Sequence, residues 1–376
     1  MKISLISERL QKGVLFVNHA VSSRSQLPTL LNFLIEAREG KLVISATDLE
    51  IGITVEVPGK TEKDGAVTVP AKTFTEMAGT ISSGKISLET THEGLVLAGE
   101  KEKTIFQTTP ADEFPRLYEE KGKQVMVLRR ETMEKDFSRV VFAASPDSER
   151  PALSGVLIKE EKDGFLLVAT DGYRLSLKNH ALQDVRKMRP EEGVSMLVPA
   201  RVIRELIQMG KDGGGEDIRV YAAKEKNQII FIQNETTLVG RLIEAEFPNY
   251  EKIIPTDFST KTVLEKDGLQ KAIKAGYVFA RQTAGIIKLS IEKSRVLVSA
   301  NAPSVGKNLI EVGAKTMGEE NEIAFNARYL LDFLANSTSE EISFEMTGPL
   351  NPGVFKETND PSFMHLIMPI RVQESA

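Results

Sequence analysis

The sequence predicts an α+β protein, three tandem copies of one domain, each with two helices packed on antiparallel sheets. Three observations carry that expectation. A four-residue motif recurs at even spacing through the 376 residues. One helical stripe recurs ahead of each copy of the motif, and alternating strand patterns fill the intervals.

The motif stands as Val69-Pro70-Ala71-Lys72, as Val198-Pro199-Ala200-Arg201 and as Phe325-Asn326-Ala327-Arg328. Upstream, Ala46-Thr47-Asp48-Leu49 matches Ala169-Thr170-Asp171-Gly172 and, more weakly, Ser299-Ala300-Asn301-Ala302. Downstream, Glu113-Phe114-Pro115 matches Glu246-Phe247-Pro248. The period is near one third of the chain, far longer than a solenoid repeat of about 20–50 residues. It implies whole domains, with boundaries expected at 1–123, 124–252 and 253–376. Linkers are expected over Tyr118–Gln124 and Asn249–Thr262, both polar and broken by Gly or Pro.

Each unit is expected to open with a helix. Leu10, Val14, Val17 and Val21 form one apolar stripe at helical spacing, and Met133, Phe137, Val140 and Ala144 repeat its intervals. Leu269, Ile273, Gly276 and Ala280 repeat them again. Alternating strand patterns follow over Lys41–Val57, Phe165–Leu177 and Arg295–Val312. The Pro-Ala-Lys/Arg motif then starts a second helix, since proline suits a first helical turn by its fixed φ and missing donor. Ile203, Leu206 and Ile207 continue that helix's buried face in the middle copy. A strand meander closes the unit, for example Ile218–Ala222, Gln228–Gln233 and Thr237–Ile243.

Composition narrows the function. Hydrophobic residues make up 41% and charged residues 27%, as in a globular chain. No apolar run reaches the ~18 residues of a membrane helix, and Met1-Lys2-Ile3-Ser4 opens no signal peptide, so a cytoplasmic setting with no membrane partner is expected. Cysteine is absent, which excludes disulfides, thiolate metal sites and cysteine nucleophiles. His19, His92, His180 and His365 are the four histidines, none within ligand spacing of another. No metalloprotease, nucleophile-elbow or phosphate-loop motif is present. The glycine cluster Gly210-Lys211-Asp212-Gly213-Gly214-Gly215 runs from helix to strand, the reverse of a phosphate loop, so a turn is expected there. Asp48 and Asp171 lack an acid/base partner, and their repeated context points to a turn. No catalytic residue, metal or cofactor is expected. A monomeric three-domain enzyme with its active site at a domain junction stands as the alternative.

Net charge is −5, so binding to a polyanion needs local clustering of basic residues. Aligning the copies reveals it. Lys12, Lys135 and Lys271 share one position on helix one, and Lys72, Arg201 and Arg328 share one on helix two. Six equivalent basic positions imply one common anionic surface such as duplex DNA. The other reading is a solvated helix face with four-apart pairs Lys72–Glu76, Arg201–Glu205 and Arg328–Asp332. A basic residue near a helix start opposes the helix dipole, which favours an external partner. No aromatic platform is interleaved with these charges.

Size then selects an assembly. A domain of one third of the chain has a radius of gyration near ~14 Å, and three such spheres in a ring leave a hole of only about 5 Å. Six leave about 35 Å on the same basis, and duplex DNA is roughly 20 Å across. The expected assembly is therefore a six-domain ring made by a head-to-tail homodimer.

Five segments carry a family resemblance: Arg24-Ser25-Gln26-Leu27-Pro28, Arg150-Pro151-Ala152-Leu153-Ser154-Gly155, Ala169-Thr170-Asp171-Gly172-Tyr173-Arg174-Leu175, Phe247-Pro248-Asn249-Tyr250 and Met368-Pro369-Ile370-Arg371. In this order, with the threefold repeat, the chain resembles the bacterial DNA polymerase III beta subunits, the replicative sliding clamps, over essentially its whole length. The resemblance implies a non-enzymatic ring around double-stranded DNA that confers processivity. Helices would line the pore, with Arg24 added to the six basic positions. Implied partners are the polymerase III alpha subunit, an ATP-driven clamp-loader complex, and other polymerases and repair proteins bearing short apolar peptides.

The resemblance also implies a peptide pocket on the second domain that reaches the third. By matching residue it comprises Arg150, Leu153, Thr170, Gly172, Tyr173, Arg174, Leu175, Pro248, Lys252 and Ile253, with Asn326, Tyr329, Met368, Pro369, Ile370 and Arg371. Apolar walls would take leucine or phenylalanine anchors while Arg174 and backbone donors orient the peptide. Leu153, Leu175 and Ile253 could instead be plain core. Lys252 stands where the family often has arginine, Tyr173 where it often has histidine, and Pro151-Ala152 where some members have an aromatic pair. The tail Val372–Ala376 runs past the usual end, which leaves peptide preference open.

Overall fold

The computed structural model describes residues 1–22, 24–118, 120–162, 164–181, 195–212, 217–223 and 227–371. Most of the glycine cluster after Lys211 and the tail Val372–Ala376 lie outside the described residues.

The first third runs β1 (Lys2–Ile6), α1 (Ser7–Val17), β2 (Asn32–Arg38), β3 (Lys41–Thr47), β4 (Ile51–Lys63) and β5 (Gly65–Pro70). It closes with α2 (Ala71–Thr80), β6 (Lys85–Thr91), β7 (Gly94–Ala98) and β8 (Lys103–Phe106). The middle third opens with β9 (Lys123–Leu128), then α3 (Arg130–Thr132) and α4 (Ser138–Val141), joined by a π-helical turn over Met133–Phe137. It continues through β10 (Gly155–Glu161), β11 (Gly164–Thr170), β12 (Arg174–Ala181), β13 (Ser195–Pro199) and α5 (Ala200–Asp212). Its last strands are β14 (Ile218–Ala223), β15 (Gln228–Gln233) and β16 (Thr236–Arg241). The final third holds β17 (Thr260–Glu265), α6 (Lys266–Ala280), β18 (Ile286–Ile291), β19 (Arg295–Ala302), β20 (Gly306–Gly318) and β21 (Asn321–Asn326). It ends with α7 (Ala327–Asn336), β22 (Glu341–Met346), β23 (Gly353–Glu357) and β24 (Asp360–Ile367).

One order thus repeats three times: strand, helix, four strands, helix, three strands. The leading strand of each copy corrects the expectation that each unit opens with a helix. β1 is only five residues of alternating burial, too short to stand out as a period-2 signal beside the longer helical stripe. The second linker is also shorter than expected. Glu251–Ile253 forms a 3-10 turn, and Thr260 and Thr262 are already buried within β17. The first linker ends earlier too, because β9 begins at Lys123.

The helical stripes pack as their spacing predicts, with local corrections. Leu269, Ile273, Gly276 and Ala280 are all buried on α6. Gly276 belongs to the stripe because a Cβ there would come within 2.6 Å of Ile287 Cδ1, so a larger residue would make the Ile287 side chain shift. In the first copy Leu10, Val14 and Val17 are buried, but the helix then tightens into a 3-10 turn over Asn18–Ala20. Val21 is therefore extended, and Ala20 takes the buried place. In the middle copy Phe137, Val140 and Ala144 are buried, whereas the Met133 side chain lies outside the described residues. Pro70 is the cap residue ending β5, one step before the helix and not in its first turn.

Contacts group the described residues into two compact units, one of residues 1–133 and 201–242, the other of 134–181, 195–200 and 243–371. Each unit contains a twelve-stranded antiparallel sheet. In the first, β16 of the middle third pairs with β4 of the first third, Leu238 opposite Ile53. In the second, β24 of the final third pairs with β12 of the middle third, Leu175 opposite Leu366. The repeat aligns β4 with β12, and β16 with β24, so one joint is used twice.

The second unit's main core centres on an aromatic cluster. Phe325, Phe333, Phe344, Phe355 and Phe363 are almost fully buried, and the Phe344 and Phe355 rings stack at 4.6 Å. Truncating one of these to alanine costs about 3–5 kcal/mol. Beside it lies a buried ionic network. Arg139, 1% exposed, donates to Glu357 Oε2 at 2.6 Å and Asp360 Oδ2 at 2.5 Å. Lys178 donates to Asp360 at 2.7 Å and stands 3.6 Å from Asp136, which accepts from His180 Nδ1 at 2.6 Å when that nitrogen is protonated. Burial would raise the Asp360 carboxyl pKa, but bonds from Lys178 and Ser362 and the charge of Lys178 hold it far below its usual value.

Candidate functional sites

The Ala-Thr-Asp repeat proves to be one turn built twice. After β3, Thr47 Oγ1 donates to the Ile51 carbonyl at 2.8 Å and accepts from Leu49 N at 3.0 Å. Asp48 Oδ1 accepts from Glu50 N and Ile51 N at 3.0 and 2.9 Å. After β11, Thr170 Oγ1 donates to the Arg174 carbonyl at 2.6 Å and accepts from Gly172 N at 3.0 Å. Asp171 Oδ1 accepts from Tyr173 N and Arg174 N at 2.9 and 3.0 Å. Short polar side chains bind nearby backbone and so define the turn. The third turn residue is left-handed in both copies, Leu49 at φ 78° and Gly172 at φ 91°. Asp48 and Asp171 are thus turn residues.

The free carboxylate oxygen of each turn then reaches a cation. Asp48 Oδ2 accepts from Arg201 at the start of α5, and the other arm of Arg201 donates to the His19 carbonyl at 2.8 Å. Asp171 Oδ2 accepts from Arg174 Nε at 3.0 Å, while Arg174 Nη1 donates to Asp332 Oδ2 on α7 at 2.5 Å and Nη2 to the Phe142 carbonyl at 2.9 Å. Arg174 is 9% exposed, and its guanidinium lies 4.6 Å from the Tyr329 ring centroid. Burial, followed by the Asp171 carboxylate, raises the Tyr329 hydroxyl pKa.

These contacts sort the seven expected DNA-facing residues. Lys12, Arg24, Lys72, Lys135, Arg201, Lys271 and Arg328 are all exposed. Within the first unit α1 packs beside α2, and α1 and α5 flank a cleft of about 740 Å³; within the second, α7 packs beside α6 and α4. Two acids of the four-apart pairs have other partners: Glu205 meets His19 Nδ1 at 2.7 Å, and Asp332 takes Arg174. Arg328 Nε donates to Tyr277 on α6 at 2.8 Å. Arg201, though exposed, is also paired with Asp48. The sequence reading also missed charges in line with these. Lys274 on α6 and Arg281 just past its end extend Lys271, and Arg204 and Lys211 extend Arg201 along α5, all exposed at intervals of three and ten. The helical period used for the apolar stripe could have found them. An aromatic pair was missed as well: Phe16 and His19 stand 5.8 Å apart at the α1–α5 cleft.

The sixteen pocket residues divide between surface and support. Tyr173 (57% exposed), Ile253 (40%), Gly172, Pro248, Lys252, Arg150 and Arg371 are exposed, and Leu153, Tyr329, Met368, Pro369 and Ile370 are half-buried. Met368 N donates to the Tyr173 carbonyl at 2.8 Å and Ile370 N to the Ala324 carbonyl at 2.8 Å, which seats the C-terminal run beside the Asp171 turn and the end of β21. Leu153 lines the same turn, its Cδ1 4.0 Å from where a Gly172 Cβ would stand. Met368 and Phe247 pack on one apolar cluster around Leu175.

Four residues support this surface from behind, a correction to their expected place in the wall. Leu175 is fully buried, since strand alternation turns it inward opposite Leu366. Thr170 is spent on the turn. Asn326 caps α7, its side chain accepting from Arg328 N at 2.9 Å. Arg174 is committed to Asp171, Asp332 and Phe142, so it braces the turn and is poorly placed to orient a ligand. Arg150 has an acidic neighbour of its own, Asp147 at 3.9 Å.

Comparison with known proteins bears on both surfaces. Residues 1–118, 127–249 and 251–371 match the family models described as the N-terminal, central and C-terminal domains of the DNA polymerase III beta subunit. A beta sliding clamp of Synechococcus elongatus is 28% identical over 379 residues, covering 99% of this chain and 100% of the relative. One from Staphylococcus epidermidis is 26% identical over 364 residues, 94% of each chain. The crystal structure of a DNA polymerase III beta subunit from Thermotoga maritima superposes with a TM-score of 0.90 at 26% identity, over 99% of this chain and 100% of the other. That of a DNA polymerase sliding clamp from Bacillus subtilis gives 0.92 at 25%, with the same coverage.

Proposed function

The chain belongs to the DNA polymerase III beta subunit family, and on that footing we propose that it is a sliding clamp. Two copies join head to tail, encircle duplex DNA without sequence specificity and hold the replicative polymerase on its template. The observation that carries this reading is the joint used twice within one chain. Among the described strands β4 has three neighbours, β1, β3 and β16, whereas its counterpart β20 has two, β17 and β19. The counterpart of β16 and β24 in the first third is β8, which pairs only with β7 among the described strands. β20 of one copy against β8 of another repeats the joint a third time and closes a ring under two-fold symmetry. Both free edges bear exposed apolar residues, Leu309 and Ile105.

On this reading the domains span 1–123, 124–252 and 253–376, consistent with where the three family matches fall. The basic helix positions face phosphate and carry no sequence information, which permits sliding. The surface formed by Leu153, Tyr173, Pro248, Ile253 and Met368 takes short apolar peptides from the polymerase alpha subunit, the clamp loader and repair proteins. The clamp works in the cytoplasm by topology, without a catalytic site or cofactor of its own, so a separate ATP-driven loader opens it. Sedimentation tests closure: a species of twice 41.5 kDa is expected, and Leu309→Lys, which puts a charge on the free edge, yields monomer. A wild-type chain that stays monomeric at micromolar concentration contradicts the ring.

A further inference from the structure

Beside the peptide surface lies a second cleft of about 450 Å³ that the pocket residues do not account for. Its apolar side is formed by Leu157, Leu197 and Ile243, and Phe247 and Tyr250 add aromatic rings 6.0 Å apart. Pro248, a surface residue of the proposed pocket, also lines this cleft. Phe247 packs on the same cluster around Leu175 as Met368 does, so the cleft adjoins the proposed peptide surface. The volume falls within the range of about 300–1,000 Å³ typical of ligand sites.

The rim carries mixed charge of which one acid is uncommitted. Lys159 and Glu251 stand 3.9 Å apart at the mouth. Glu246, exposed on the rim, makes no ion pair among the described residues. Glu251 and Glu161 add negative potential, and after burial they are the causes that raise the Tyr250 hydroxyl pKa. An apolar floor under a free carboxylate suits a side chain with a long aliphatic stem and a cationic head.

We infer that this cleft is a subsite for an arginine or lysine flanking the apolar motif of a partner peptide, its stem on Leu157, Leu197 and Ile243 and its head on Glu246. The inference rests on the peptide-pocket reading and extends it from anchor recognition to charge selection. Arginine suits the site best, because its planar head pairs with a carboxylate and stacks on an aromatic ring.

Calorimetry on the full-length dimer tests it with three peptides. One is a short leucine- and phenylalanine-containing peptide; the second is lengthened by three residues at each end to include arginine; the third has glutamate in place of each arginine. The arginine peptide is expected to bind about tenfold tighter than the short one, and the glutamate peptide no tighter. Glu246→Lys, an exposed substitution, is expected to remove the arginine gain and leave the short peptide unchanged. Glu93→Lys, a charge reversal in the first unit, is expected to leave the gain intact. Equal binding of short and arginine peptides, or a gain that survives Glu246→Lys, overturns the subsite alone. Failure of the short peptide to bind overturns the pocket reading and the subsite with it.

Discussion

Arg201 at the start of α5 closes on Asp48, a carboxylate that already holds the β3–β4 turn through its other oxygen. One acid therefore sets a turn in the first third and ties it to a helix of the middle third. Arg174 and Asp332 do the corresponding work between the middle and final thirds, from the equivalent turn to helix α7. A basic residue expected to face DNA is thus also part of a joint.

Freeing that residue should strengthen DNA binding. Asp48→Asn keeps the Oδ1 acceptor of the turn but removes the charge that neutralises Arg201. The pair is half-exposed, so the stability cost should be at most about 1 kcal/mol. Retention on DNA should rise, and the slope of log K against log salt should steepen by up to roughly 0.9 for each further phosphate neutralised. Unchanged salt dependence would show that Arg201 does not reach phosphate.

The other equivalent positions should behave oppositely. Lys72→Ala, Lys271→Ala and Arg328→Ala together should weaken DNA retention and flatten the salt slope by roughly 0.9 for each phosphate left unneutralised. Sedimentation should still report the dimer, because these groups are exposed on helices and not on the free strand edges. Wild-type retention would reduce them to a solvated helix face.

Peptide binding should depend on the C-terminal run. Truncation before Met368 removes the segment after β24 that is bonded to Tyr173 and Ala324. It should abolish binding of a leucine- and phenylalanine-containing peptide in calorimetry while the dimer persists. A milder change, Ile253→Ala, should cost about 1–2 kcal/mol of binding. Undiminished affinity in the truncated dimer would rule this surface out as the peptide site.

Acid should destabilise the protein in two stages. His365 is buried, its Nδ1 2.7 Å from Ser176 Oγ and its ring stacked on Phe333. Burial, then the charge of Arg174, push its pKa well below 6.5. The unfolded chain therefore binds this proton first, and stability is complete above about pH 6.5 and falls below it by about 1.4 kcal/mol per pH unit. Asp360 is depressed in the fold, so its contribution is present above about pH 4 and is lost as pH falls toward its low folded value. His365→Gln should flatten the denaturation midpoint between pH 6.5 and 5 and leave the lower stage. An unaltered profile would assign the first stage to another group.

The repeat and the α6 stripe were legible because both are local signals with a fixed period. Leu269 to Ala280 announce a helix face in sequence alone. The π-helical turn at Met133–Phe137 was not legible, since its residues keep the ordinary helical spacing. Nor were the β4–β16 and β12–β24 joints, which pair strands far apart in the chain and depend on edges that composition does not mark. The same limit governs the site. Tyr173 and Met368 could be placed at a surface from their motifs, but Leu175 and Arg174 in the same motif face inward, and only register and the partners on α7 reveal it.

A closed ring is held on DNA by topology, and release by cutting tests this. The protein is assembled on a nicked circular duplex with a clamp loader and freed of unbound protein by gel filtration. The plasmid is then linearised with a single-site restriction enzyme. Stable co-elution with the circle and loss from the linear form are expected, because a ring held by topology slides off free ends. Equal retention on circular and linear DNA would mean ordinary binding affinity and would contradict the clamp.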